Sequence, residues 1–509
     1  MADFFASPGL LIALIGGAAT SVLLEQLLTP APMLRRPIAS WLLHFGIWLL
    51  AFCFEMSLFQ RPWFAAAFVL AFLLFVVLVS NAKFGSLREP FIFSDFEYFT
   101  DALRHPRLYI PFLGWWRAAL ALAGFIAAVW IGLAFEAPLT RQLGVATFYQ
   151  GVGWIALCGA GLVTLGAWAL GPASFKPVED LRRMGLIGSL WRYMAAELKP
   201  IDHAALQAVL NAAPPLAAKP NIVVVQSESF FDVRRLYSGI ERKVLQQWDR
   251  LQRDSLQHGR LQVAAWGANT VRTEFSFLSG LETGALGVHQ FNPYRQLARA
   301  GIATLASHLR EQGYRTVCVH PYPASFYNRH IVFPLMGFDE FIDIEKFDIA
   351  DKAGPYIGDV AVAEKIAALI DSITQPLFIF AITMENHGPL HWEKLTPDER
   401  KQHFGEAPPA GCDDLAVYLR HLANADKMAG MLRDHLAASP SPAWLCFYGD
   451  HVPIMADVYA QLGEPDGTTD YVIWSNRQDA EKSQTRDLGV AELAGTLLEH
   501  VRGTQQKNT

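Results

Sequence analysis

Four apolar runs in the second half of the chain each end in residues able to bind a cation or carry a proton. NIVVVQSES leads into Glu228, YRTVCVH into His320, PLFIFAITMENHGP into Asn386 and His387, and AWLCFYGDHVP into Asp450 and His451. Carboxylate oxygens with one imidazole and no thiolate suit a divalent cation in a working site, Mn²⁺, Mg²⁺ or Zn²⁺, and argue against a structural zinc site. Glu228, Asp450 and His451 are therefore the predicted metal ligands. Taken singly, Glu228 could cap a helix and Gly-Asp-His could be a turn. Their shared position after separate strand-like runs is what points to one site.

A hydroxyl-rich stretch, GANTVRTEFSFLSG, supplies candidate nucleophiles. Thr270 falls where a helix N-cap would sit, and a threonine there can serve as a cap alone. The same place sets its hydroxyl beside backbone N–H groups that favour a phosphoryl anion. Composition does not rank Thr270, Thr273 and Ser276, although the last two fall inside the helix, where hydroxyls pack or bond back to the backbone. A threonine hydroxyl is a poor nucleophile at neutral pH, and a bound cation is one of the few ways to activate it. The sequence has no GxSxG elbow, Walker loop, GxGxxG fingerprint or HExxH.

These residues need a scaffold. From Asn221 onward, Val/Ile/Phe-rich runs alternate with helix-like stretches, the pattern of a largely parallel sheet covered by helices. Ligands gather at the carboxyl ends of such strands. Before that, with 52% hydrophobic and 18% charged residues, the chain is too apolar to be wholly soluble. Apolar segments of bilayer-crossing length, about 20 residues, fall at 10–28, 41–59, 63–80, 109–135 and 148–170. The first lacks a basic leader and is followed by further spans, so a retained anchor is expected. Glu25, Glu55 and Arg117 lie in or near the spans and are expected to snorkel. The net charge of -6, with no long basic run, gives no support to a nucleic-acid partner. The five cysteines form neither a disulfide framework nor a CxxC motif.

After the last span, EDLRRMGLIGSLWRYMAAELKP suits a helix lying on a membrane surface or packed on protein, and NAAPPLAAKP suits a linker. The expected organisation is a five-helix membrane domain at 1–171, a juxtamembrane helix and linker at 172–220, and a catalytic domain at 221–509. Loop charge alone places that domain in the cytoplasm, because Arg35, Arg36, Lys83, Arg88, Arg104 and Arg107 outnumber Arg61 and Arg141. The third loop balances its bases with Glu89, Asp95, Glu97 and Asp101, which leaves the topology open on charge.

Together these motifs resemble the alkaline-phosphatase/sulfatase-like superfamily and, within it, the lipoteichoic acid synthase-like phosphoglycerol transferases. The resemblance covers nearly the whole chain. It implies a multi-span α-helical membrane domain followed by an α/β catalytic domain with a largely parallel central sheet. QSES matches the family's metal-binding glutamate at Glu228, and FYGDH its ligands Asp450 and His451. GANTVRTEF resembles the nucleophile loop and places the nucleophile, itself a ligand of the ion, at Thr270. HPYPASFYNR resembles the substrate-binding run, which implies headgroup or phosphate contacts from His320, Asn328 and Arg329, and TMENHGP adds His387. Tyr327 stands where the family often has Trp.

The function implied is transfer of phosphoglycerol from phosphatidylglycerol to a glycan or polyol-phosphate hydroxyl, through a phospho-threonine and with one divalent ion, Mn²⁺ first and Mg²⁺ or Zn²⁺ as alternatives. The chain is shorter than the Gram-positive polymerases, which favours a single transfer. The resemblance also implies a multi-pass protein of the bacterial cytoplasmic membrane with an extracytoplasmic catalytic domain. The rivals are a phosphoethanolamine transferase, a sulfatase or phosphodiesterase, and an inactive headgroup-binding scaffold. A sulfatase would need a Cys or Ser convertible to an aldehyde, and Thr270 is neither.

Overall fold

The structure is a computed structural model that describes residues 2–97, 115–202, 206, 215–477 and 483–507. It divides into two units, Met1–Pro200 and Ile201–Thr509.

The first unit is helical. It contains α1 (Pro8–Glu25), α2 (Ile38–Phe59), α3 (Pro62–Leu87), α4 (Trp115–Phe135), α5 (Val145–Ala169) and α6 (Pro177–Glu197). Among the described residues, α1, α2, α3 and α5 are long and apolar enough to cross a membrane, and α4 lies within the remaining predicted span. Prolines in the first turns of α1, α3 and α6 start helices where a backbone N–H has no intrahelical partner anyway. Glu25 does not snorkel. It is buried, meets Arg36 Nη1 at 2.7 Å and accepts a 2.7 Å hydrogen bond from the Leu186 N–H. The predicted surface helix, α6, is packed on protein: Leu181, Met184, Leu186 and Tyr193 are buried on either side of a kink at Gly185. In the third loop Lys83 is held by Glu89 and Asp95, each at 2.6 Å. The Arg117 side chain, Asp101, Arg104, Arg107 and the first part of the 211–220 linker lie outside the described residues.

The second unit is the predicted α/β domain. In chain order its site-bearing elements are β1 (Asn221–Ser227), β2 (Gln257–Gln262), α7 (Thr270–Ser279), β3 (Arg315–Val319), α8 (Arg329–Leu335), β4 (Glu340–Ile342) and the hairpin β5 (Lys352–Ala353) with β6 (Tyr356–Ile357). There follow α9 (Asp359–Ser372), β7 (Leu377–Ile382), α10 (Asp413–Ala438), β8 (Ala443–Gly449), β9 (Thr469–Ser475), β10 (Gln484–Thr485), β11 (Leu488–Gly489) and α11 (Val490–Lys507). The sheet runs β10-β2-β9-β8-β1-β7-β3-β4, with β11 also on β2. From β8 to β4 the strands are parallel, and β9 is antiparallel to both of its neighbours.

Alternate residues of β1 explain why its run is continuously apolar. Val223 and Val225 face a core that includes Leu415, Leu419 and Leu422 of α10, whereas Ile222 and Val224 face one with Phe275 of α7 and Leu493 of α11. Each such side chain removed from water contributes about 1.5–3 kcal/mol, and both faces are used, as parallel strands require. Parallel order brings the carboxyl ends of β8, β1, β7 and β3 to one edge, and in the β1/β8 register Ser227 faces Gly449. Glu228 and Asp450 are the next residues of the two strands.

Candidate active site

At that edge Glu228, Asp450 and His451 converge, all buried, with a ligand atom from each within 4.8 Å of the others. Glycine is required where the two strands meet, because a Cβ on Gly449 would stand 1.8 Å from the Phe230 carbonyl oxygen. Ser229 adopts φ 55° and turns its backbone N–H onto Asp450 Oδ1 at 2.8 Å, while its hydroxyl donates to Glu228 Oε1 at 2.9 Å. His451 Nδ1 lies 3.1 Å from the Val452 carbonyl, which can only accept, so Nδ1 carries the proton and Nε2 the lone pair. That lone pair sits 3.5 Å from Glu228 Oε1 and 3.4 Å from Asp450 Oδ2.

These three atoms turn lone pairs on one another, with only the Ser229 hydroxyl donating among them, and they repel. Asp450 Oδ2 is buried with no hydrogen-bond partner, and burial together with Asp450 pushes the Glu228 carboxyl up to about 8. Two ligands about 2.1 Å from one cation at a tetrahedral angle lie about 3.4 Å apart, so spacing and donor set both fit a divalent ion. The donor set does not choose among Mn²⁺, Mg²⁺ and Zn²⁺.

The helix expected to carry the nucleophile differs from expectation in one detail. Asn269, at φ 65°, holds the N-cap position of α7, and Thr270 is the first helical residue. The left-handed cap is one that Asn tolerates and a β-branched residue resists. Thr273 is buried and donates from Oγ1 to the Asp450 carbonyl at 2.8 Å, which ties the first turn of α7 to the loop of candidate ligands. Thr270 lies three residues earlier on the same helix face. Ser276 is buried inside the helix.

His320 and Arg329 come together, but not as two free contacts. Arg329 is buried and forms a two-pronged pair with Glu274 of α7, Nη2 to Oε2 at 2.8 Å and Nε to Oε1 at 3.4 Å. Its Nη1 donates to His320 Nε2 at 3.2 Å, and His320 Nδ1 donates to the Ile382 carbonyl at 3.1 Å. Both His320 nitrogens are thus engaged, and burial and the Arg329 charge hold its pKa well below the usual value. Asn328 is exposed, with φ 54°, at the N-cap of α8. Glu274 is a site residue that the sequence reading passed over, although it belongs to the quoted TEF motif. Its partner is 55 positions away.

His387 is half-buried, with Nδ1 2.7 Å from the Gly388 carbonyl and 3.3 Å from the Tyr356 hydroxyl. Burial lowers its pKa, and the Gly388 carbonyl and Asp450 oppose the shift. Behind it lies a second acidic cluster. Glu385 Oε1 accepts from His421 Nδ1 at 2.8 Å and from Asn424 at 2.6 Å, and Oε2 accepts from the Asp359 N–H at 2.7 Å. His421 Nε2 meets Glu393 Oε1 at 2.9 Å, and Arg420 also pairs with Glu393. Burial lowers the His421 pKa, but the hydrogen bonds to Glu385 and Glu393 outweigh it and bring the value to about 9. Tyr356, Glu385 and His421 carry no sequence signal of their own.

A largely parallel α/β sheet with an acidic-imidazole cluster at its carboxyl edge, tied by Thr273 to a helix that starts at Thr270, is the arrangement of a sulfatase-like domain. The sulfatase family profile matches residues 220–504, and the chain belongs to that family. The capsular polysaccharide biosynthesis protein RkpI of Rhizobium meliloti is 28% identical over 478 residues, covering 86% of this chain and 83% of the relative. The lipooligosaccharide phosphoethanolamine transferase A of Neisseria meningitidis, an integral membrane protein, has the same fold at TM-score 0.56 and 14% identity, covering 90% of this chain and 87% of that one. The Streptococcus pyogenes phosphoglycerol transferase GacH, solved with sn-glycerol-1-phosphate, aligns at TM-score 0.47 and 23% identity over 59% of this chain and 79% of its own.

Proposed function

We propose that this protein is a membrane-anchored phosphoglycerol transferase that carries the headgroup of phosphatidylglycerol to an acceptor hydroxyl through a phospho-threonine at Thr270. The observation that carries the reading is the hydrogen bond from Thr273 to the Asp450 carbonyl, which joins the helix bearing Thr270 to the metal-ligating loop. A divalent cation held by Glu228, Asp450 and His451 would lower the pKa of an adjacent hydroxyl and offset negative charge on a phosphoryl group. Manganese is the first choice for that ion, and Thr270 would complete its ligand set.

The Thr270 oxygen attacks phosphorus, the phosphorus–diacylglycerol bond breaks, and diacylglycerol leaves into the bilayer. The acceptor hydroxyl, on a glycan or a polyol phosphate, then displaces Thr270. His320 has both nitrogens bonded and orients Arg329. His387 keeps Nε2 for proton transfer. Arg329 contributes positive charge near the nonbridging oxygens, and Asn328 lines the headgroup side. The faces of Tyr327 and Phe326 lie 5.2 and 5.9 Å from the Arg329 guanidinium carbon. The two rings and Glu274 enclose the guanidinium, whose charge that carboxylate balances. Lys83, neutralised by two acids, weakens the positive third loop and supports an extracytoplasmic catalytic unit.

The test incubates the full chain in detergent with phosphatidylglycerol or phosphatidylethanolamine and examines the peptide containing Thr270 by mass spectrometry. A glycerophosphate adduct is expected, absent in Thr270→Ala. Diacylglycerol released only from phosphatidylethanolamine would assign the rival headgroup.

A further inference from the structure

The hairpin β5–β6 plays no part in the chemistry described so far, yet it delivers Tyr356 to His387. Their ring centroids are 5.5 Å apart in an edge-to-face arrangement, and the Tyr356 hydroxyl lies 3.3 Å from Nδ1 and 3.5 Å from the Gly388 carbonyl. The hairpin is braced from behind. A Cβ on Gly354 in its turn would stand 2.6 Å from Glu393 Oε2, so the turn rests on the carboxylate that His421 and Arg420 hold. Its exit is fixed as well, because the Asp359 N–H donates to Glu385, two residues before His387.

The protonation pattern follows from the acceptors. A carbonyl oxygen 2.7 Å from Nδ1 requires a proton on Nδ1. The Tyr356 hydroxyl donates to that same carbonyl and flanks the Nδ1–H. His387 Nε2 is left with the lone pair.

We propose that Tyr356 is a positioning residue for His387, holding the imidazole as its Nδ1–H tautomer so that Nε2 accepts the proton of the incoming acceptor hydroxyl. The inference rests on the phospho-threonine reading above. In the second half-reaction the acceptor O–H bond breaks and its proton moves to Nε2. The acceptor oxygen–phosphorus bond forms and the phosphorus–Thr270 oxygen bond breaks. The imidazolium then returns the proton to the Thr270 oxygen, and no further reactant is needed.

The experiment uses the full chain in detergent with Mn²⁺, phosphatidylglycerol as donor and glycerol as acceptor probe. It compares wild type, Tyr356→Phe, His387→Gln and the double variant. Mass spectrometry follows formation of the Thr270 adduct and, separately, its discharge by glycerol. Tyr356→Phe keeps the ring and removes only the hydroxyl. Glycerol-dependent discharge is expected to fall about tenfold in kcat with KM for glycerol unchanged, and adduct formation, which runs the same proton path toward diacylglycerol, to slow with it. Adding Tyr356→Phe to His387→Gln should cost nothing more, because one residue works through the other. Unchanged discharge in Tyr356→Phe, a loss confined to KM, or additive losses in the double variant would each overturn the positioning role while leaving the phospho-threonine intact. Failure of wild type to form any adduct would remove both.

Discussion

Two buried clusters of the same residue types lie in the second unit, and they are wired in opposite ways. In the Glu385–His421–Glu393 cluster each imidazole nitrogen donates to a carboxylate, Asn424 shares one of those oxygens, and Arg420 and a backbone N–H occupy the other two. In the Glu228–Asp450–His451 cluster the imidazole turns its proton away onto Val452 and presents a lone pair to two carboxylates. The first is closed by its own hydrogen bonds. The second turns lone pairs inward and leaves Asp450 Oδ2 with no donor, as a cation site requires. Composition does not separate the two; the direction of one N–H does.

The contrast is broken most severely by Asp450→Asn. Loss of bound metal and at least about a thousandfold fall in headgroup transfer are expected, measured by metal analysis and labelled diacylglycerol release. Added Mn²⁺ should raise the thermal midpoint of wild type and leave that of the variant unmoved. His421→Leu should act the other way round. It leaves the buried Glu385 and the half-buried Glu393 without their shared donor and costs about 3–5 kcal/mol of stability, read by chemical denaturation, with metal content retained.

A finer test uses pH. The His421 pKa is raised in the folded protein, to about 9, so its stabilisation is complete below the unfolded value of about 6.5 and is lost as pH rises toward 9. Wild type should lose on the order of 3 kcal/mol over that window, and His421→Gln should not. Equal pH dependence in the two proteins would remove the imidazolium from the account.

Much of this arrangement was legible in the chain because its causes are local. Continuous apolar runs, aliphatic in β1 and aromatic-rich in β7 and β8, mark the strands, and strand-end chemistry follows from parallel order, so Glu228, His320, His387, Asp450 and His451 could be named in advance. What escaped depends on tertiary partners. Glu274 reads as an ordinary helix residue until Arg329 folds onto it. Tyr356 sits in a hairpin of two-residue strands, too short for any periodicity to register. Thr270 was displaced from the cap by one position because Asn269 tolerates the left-handed turn better. Glu25 found Arg36, on the next helix-connecting segment, where spacing alone suggested an end-on escape to the interface.

The tight crossing at Gly449 also bears on how this protein can be engineered. With a backbone oxygen occupying the space of any methyl group, selection for new headgroup preference by randomising the strand ends should return glycine at that codon in every active clone. Diversity is better directed to the 320–329 segment and the Tyr356 hairpin, and an invariant 449 in the surviving pool would serve as an internal standard for how stringent the selection had been.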